Sequence, residues 1–101
     1  MPGGAHRTHK PDAILNDVCK ALEEIGAKAC RVVGPLGFPD LVVGYCGITI
    51  LLEVKSGDKP LRKSQTDWIA AWPGQVAVAY SPDMAVRKCI AAALKCGGGG
   101  S

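Results

Sequence analysis

Apolar and polar positions recur along this chain with two different periods. Between Pro11 and Ile25, the apolar residues Ile14, Leu15, Val18, Leu22 and Ile25 fall three or four apart, which predicts an amphipathic helix. Pro11 fits the first helical position, Asp12 suits the positive end of the helix dipole, and Gly26 is a stop. From Lys28 to Val33 the period drops to two. Ala29, Arg31 and Val33 fall on one face and Cys30 and Val32 on the other, the pattern of a strand. Gly34-Pro35-Leu36-Gly37 breaks the chain. Leu41 to Tyr45 predicts a second strand and Ile48 to Lys55 a third, joined into a hairpin by a tight turn at Cys46-Gly47. The run Ile48-Thr49-Ile50-Leu51-Leu52 is almost unbroken apolar, so this strand is expected at the centre of a sheet, covered on both faces.

Ser56 to Lys63 is polar and reads as a loop. Ser64 is expected to cap a short helix over Gln65–Trp72, with Asp67 in the capping-box position, and Pro73-Gly74 ends it. Val76 to Tyr80 predicts a fourth strand. Pro82 to Lys95 predicts the last helix, with Gly97 beyond its end. The order α-β-β-β-α-β-α predicts an α/β fold, a mixed central sheet of about four strands flanked by helices on both sides.

A length of 101 residues allows one domain with one core. The expected organisation is a flexible basic N-terminal arm over 1–10, a folded domain over 11–96, and an engineered Gly/Ser linker over 97–101. Five cysteines (Cys19, Cys30, Cys46, Cys89, Cys96) show no C-x-x-C spacing. That argues against zinc or a disulfide framework and for reduced thiols acting mostly as small core hydrophobes. His6 and His9 share no ligand spacing with them. Neither an apolar run of membrane-span length nor a signal-peptide pattern occurs, so a cytoplasmic protein without membrane contact is expected.

The net charge of +3 is only mildly basic, but its placement is uneven, with Lys55, Lys59, Arg62 and Lys63 falling within nine residues. Lys59, Arg62 and Lys63 are therefore candidate phosphate contacts, with an ordinary solvated loop as the alternative. Arg31 has the same two readings. Gly34 to Gly37 lacks the sequence of a phosphate-binding P-loop and is expected to let DNA or a metal approach the backbone. Trp68 and Trp72, four apart, are assigned to helix packing in preference to base stacking.

The candidate chemistry lies at one end of the hairpin. Pro39-Asp40 opens the second strand and Glu53-Val54-Lys55 closes the third, so the two ends are neighbours. Glu53 and Lys55 are two apart and face the same way. Asp40, Glu53 and Lys55 are thereby expected to share a pocket. Two carboxylates form a hard oxygen site for Mg²⁺ or Mn²⁺, to which the Val54 carbonyl would add a ligand. A lysine beside them suits phosphodiester hydrolysis, where it orients water and offsets charge developing on phosphate. A Glu-x-Lys tripeptide alone is more often a surface ion pair; the apolar strand before it and the acid facing it change the reading.

Pro39-Asp40, twelve further residues and then Glu53-Val54-Lys55 resemble the signature of the PD-(D/E)XK nuclease superfamily. The text around them is similar to one branch, the VRR-NUC family of small phage and bacterial nucleases. The matching stretches are Gly37 to Val43, Leu52 to Gly57, Lys63-Ser64-Gln65, Trp72 to Val76 and Ser81 to Ala85, in the same order over roughly residues 11–95. The resemblance implies a restriction-endonuclease-like fold and Mg²⁺- or Mn²⁺-dependent cleavage of DNA, often branched DNA such as a Holliday junction, in a bacterial or phage-infected host cytoplasm. It implies Asp40 and Glu53 as metal ligands, Lys55 as the catalytic lysine, and Gln65 as a glutamine reaching the site from the next helix. The chain departs from the family in one place. The glutamate that relatives often carry on the first helix is missing: Leu15, Asn16 and Asp17 stand there, with Asp12 a turn earlier.

The last helix adds an expectation about assembly. Met84, Ala85, Val86, Cys89 and the run from Ile90 to Leu94 leave only Arg87, Lys88 and Lys95 charged beyond its first turn. This exceeds what one face of a small sheet needs, and predicts a homodimer burying the surplus; the alternative is a wide alanine-rich core stripe. Two functions compete: a structure-selective endodeoxyribonuclease, and a non-catalytic DNA- or protein-binding module on a nuclease-like fold.

Overall fold

Seven elements form over residues 12–100, the part of the chain that this computed structural model describes: α1 (Asp12–Glu24), β1 (Lys28–Arg31), β2 (Leu41–Tyr45), β3 (Ile48–Val54), α2 (Lys63–Ala71), β4 (Val76–Ala79) and α3 (Pro82–Gly100). The expected basic arm and Pro11 lie outside the described residues. The order and the α/β class are those the periodicity predicts.

The four strands form one sheet in the order β1-β2-β3-β4. β1 and β2 pair antiparallel, as do β2 and β3, whereas β3 and β4 run parallel. The sheet is therefore mixed. Antiparallel neighbours need only a short turn, and the parallel step needs a crossover, which α2 supplies. β3 lies inside the sheet, as its apolar run predicts, and everything from Ile50 to Lys55 is buried. The β2–β3 turn has positive φ at both central residues, 51° at Cys46 and 82° at Gly47, the backbone of a hairpin turn whose twist matches its strands.

The two faces of the sheet differ. Pairing sets Leu41, Val43, Ile50, Leu52, Val54, Ala77 and Ala79 on one face. Leu15, Val18 and Leu22 of α1 and Ala85 and Cys89 of α3 complete the buried cluster there. Val42, Leu51, Glu53 and Val78 alternate onto the opposite face. There α2 stands near the end of β3, and none of its residues is buried.

Several boundaries differ from the predicted ones. β1 ends at Arg31 and Val33 is fully exposed, because the chain peels off the sheet into the Gly-Pro loop after a last bond from Val32 N–H to the Asp40 carbonyl at 3.0 Å. α2 begins at Lys63, and its N-cap is Arg62, not Ser64. Gln65 occupies the third helical position, and its Oε1 accepts the Arg62 N–H at 2.8 Å. The capping box thus belongs to Gln65, not to Asp67, which pairs instead with Lys63. α3 runs past Lys95 to Gly100, since extending an existing helix needs no new nucleus. Most of the apolar surplus of α3 is core stripe. Ala85 and Cys89 are buried and Met84, Val86 and Ala92 pack against the core, leaving Ile90 and Leu94 as its large exposed hydrophobics among the described residues. The thiols also divide. Cys89 is buried, Cys19 and Cys96 are half-buried, and Cys30 and Cys46 are exposed, so the core role expected of most of them falls mainly to Cys89. Burial pushes the Cys89 and Cys19 thiols above the ordinary thiol range, which keeps them protonated and unreactive at neutral pH. No helix among the described residues is long and apolar enough to cross a membrane.

Candidate active site

Hairpin register brings the acids together. Leu41 pairs with Leu52, so one further step along both strands sets Asp40 beside Glu53. Asp40 Oδ2 accepts the Val54 N–H at 2.9 Å, which ties the start of β2 to the end of β3 beyond their last paired residues. On the other side, Lys55 N–H donates to the Ala79 carbonyl at 2.9 Å. The Glu53-Val54-Lys55 segment is thus held from both flanks.

Glu53 is 1% exposed and Lys55 7%, and these are the buried charged residues among those described. Burying a charge costs several kcal/mol unless partners replace its water. Gln65 reaches over from α2 to supply them. Its Nε2 donates to Glu53 Oε2 at 2.7 Å, and its Oε1 accepts from Lys55 Nζ at 3.1 Å. The same oxygen takes the Arg62 N–H. One amide therefore bridges the acid and the lysine and closes the first turn of its own helix. No buried side-chain nitrogen or oxygen among the described residues lacks a partner.

Gln65 can do this only if α2 is held against the Asp40 loop, and two contacts hold it. The ring of Phe38, two residues before Asp40, meets Trp68 edge-on at 4.9 Å and 73°. Gly37 has φ +89° and lies so close to the Ser64 carbonyl that a Cβ there would collide with it. The space expected to admit DNA or metal at Gly37 is filled by the backbone of α2. Phe38 is a neighbour of this centre that no sequence pattern singled out, and Trp68, expected to serve helix packing, makes that packing contact against it. The available signal for Trp68 was its place three residues after Gln65, on the same helical face.

The remaining candidates lie around this centre. Asn16 and Asp17 are exposed, and the Asn16 side-chain oxygen accepts from the Arg31 guanidinium. Lys59, Arg62 and Lys63 are exposed. Lys63 makes a 2.8 Å pair with Asp67 in which both side chains are mostly solvated, so the pair is weak and leaves Lys63 movable. Among the described residues, no group of three or more His, Cys, Asp or Glu side chains is placed to hold a metal. The donors present are two carboxylates and the Val54 carbonyl. That set fits Mg²⁺ or Mn²⁺, which bind through one or two carboxylates and keep several waters, and it offers no soft ligand for zinc. Comparison with family models, with curated proteins and with solved structures finds no match to this chain.

Proposed function

We propose that this chain is a metal-dependent endodeoxyribonuclease that hydrolyses phosphodiester bonds. The observation that carries the reading is the buried Glu53–Gln65–Lys55 bridge with Asp40 hydrogen-bonded to the backbone between its two charged members. Buried charge at the end of a central strand costs stability even when it is hydrogen-bonded, and such groups concentrate at functional sites. The element order and the mixed sheet support a restriction-endonuclease-like fold.

Asp40, Glu53 and the Val54 carbonyl would hold Mg²⁺ or Mn²⁺, which when bound polarises the scissile phosphate and acidifies a water. Lys55 orients the attacking water and offsets charge that develops on the phosphate oxygens. Gln65 keeps the Lys55 ammonium and the Glu53 carboxylate in fixed positions, so neither has to reorganise as charge shifts. Lys59, Arg62 and Lys63 meet flanking phosphates at the mouth of the site.

Branched DNA and a two-fold dimer extend the same reading. One site cuts one strand, and symmetric cutting of a junction takes two sites. Ile90, 36% exposed, and Leu94, 70% exposed, stand one turn apart on α3 and are the apolar contact left for a second copy. The rival binding module is favoured by α1, where Asn16 is engaged by Arg31 and no glutamate stands near Leu15 to Asp17, Glu23 and Glu24 coming only at the far end of the helix. The deciding experiment incubates linear duplex and a four-way junction with Mg²⁺, with Mn²⁺ and with EDTA. Metal-dependent cutting, faster on the junction, is expected. Binding without cutting in either metal would replace the enzyme with the module.

A further inference from the structure

Beyond the bridge, the Gln65 face of α2 carries an aromatic row that the proposed chemistry leaves unused. Gln65, Trp68 and Trp72 stand three and then four residues apart, so they follow one face of the helix. Phe38 meets Trp68 edge-on at 4.9 Å, and Trp68 stacks on Trp72 at 4.9 Å with only 18° between the planes. The row starts at the Asp40 loop and ends at solvent, where Trp72 is 39% exposed. Trp68 already makes the contact that holds α2 in place, whereas Trp72 adds a second indole plane outside it. Gly74 packs its backbone so close to the nitrogen side of the Trp72 indole that any Cβ there would strike it, so the accessible part of the ring is the remainder, which keeps Trp72 exposed. Leu36, in the loop that carries Phe38, is 81% exposed. The exposed cations Lys59, Arg62 and Lys63 lie just ahead of the row in sequence.

Parallel indoles run along α2 to an exposed ring at its C-cap, while the cations stand at and before its N-terminus, next to the proposed phosphate-cutting site. Together they supply the two parts of a single-strand binding surface, a stacking platform and a basic track. We infer that Trp72 stacks an unpaired nucleobase, so that the substrate is nucleic acid with a single-stranded segment next to the scissile phosphate. This rests on the nuclease reading for what happens at the phosphate, but not for the binding itself. Duplex bases are already stacked and offer the row no free face; an unpaired base does.

The chain has two tryptophans, both in the row, so fluorescence excited at the red edge, where indole absorbs and the phenol of tyrosine does not, reports on it alone. The test titrates the full chain in EDTA, where no metal supports cleavage, with a twelve-residue oligothymidylate, an abasic strand of the same length and charge, and a blunt duplex. Oligothymidylate should quench the fluorescence and bind roughly tenfold tighter than the abasic strand, in line with the worth of one base–aromatic stack. Trp72→Ala should bring oligothymidylate down to the abasic affinity and leave abasic binding unchanged, and Trp72→Phe should keep most of the preference. Equal binding of the thymidylate and abasic strands by the unmutated chain would overturn the inference whether or not the variant folds, and so would an unchanged preference in Trp72→Ala. A chain that prefers thymidylate but cuts nothing in Mg²⁺ loses the nuclease reading and keeps this one. A chain that cuts duplex but shows no base preference does the reverse.

Discussion

The two faces of the sheet are built on different terms. On one, α1 and α3 close over Leu41, Val43, Ile50, Leu52 and Val54, and the contacts are apolar and buried. On the other, α2 buries none of its residues, and a short ring contact and one glutamine amide fasten it. The first face holds the fold and asks only for apolar side chains of the right volume. The second face carries buried charge and depends on hydrogen-bond geometry. A molecule can keep its stability on one side of a sheet and accept a costly arrangement on the other, provided the strand between them is anchored from both flanks.

Substitutions at five positions probe that division, beginning with the one of largest effect. Glu53→Gln keeps the shape and a partner for Gln65 but removes the charge. It should lower metal-dependent DNA cleavage by about 10²–10³-fold while the melting temperature changes little. Cleavage at the unmutated rate by a folded variant would break the assignment of chemistry to the α2 face. Leu22→Ala on the opposite face should cost about 2–5 kcal/mol, against less than about 1 kcal/mol for Ile69→Ala on α2. Urea unfolding measures both, and equal losses would show that the faces share the load.

Trp68→Ala tests the fastening itself. Loosening α2 should lower kcat roughly tenfold with little change in KM, because the Gln65 bridge loses its placement while phosphate contacts remain. Trp68→Phe should restore most of the rate. A rise in KM alone would make Trp68 a substrate contact and not a positioning residue. The smallest effect belongs to the hairpin tip, remote from both α2 and the site. Cys46 has φ 51°, a left-handed conformation that asparagine tolerates better, and Asn-Gly is the favoured pair for this turn. Cys46→Asn should add about 0.5 kcal/mol in thermal unfolding and leave cleavage unchanged.

The core face was legible in the sequence. Leu15, Val18 and Leu22 stand at helical spacing, and Leu41 and Val43 at strand spacing, and all five are buried. The α2 face was legible only in part. The spacing between Pro39-Asp40 and Glu53-Val54-Lys55 pointed to neighbours because a hairpin brings those ends together. The cap of α2 was misplaced because Arg62 is an unusual N-cap, and what fixes it is the reach of Gln65 back to the Arg62 N–H. Of the two tryptophans expected in helix packing, Trp68 packs against Phe38, whereas Trp72 is exposed. Four-residue spacing is the same for a buried pair and for an exposed stack.

By itself, then, the sequence determined the order of elements, the central place of β3 and the convergence of Asp40, Glu53 and Lys55. Each depends on periodicity or on a single hairpin, and both are local properties of the chain. Tertiary structure alone decided that one amide of Gln65 would join the acid to the lysine, that Gly37 would receive the backbone of α2, and that the aromatic row would end at solvent. These depend on where a helix lands after a crossover. That position is set by packing between residues far apart in the chain, which no local pattern records.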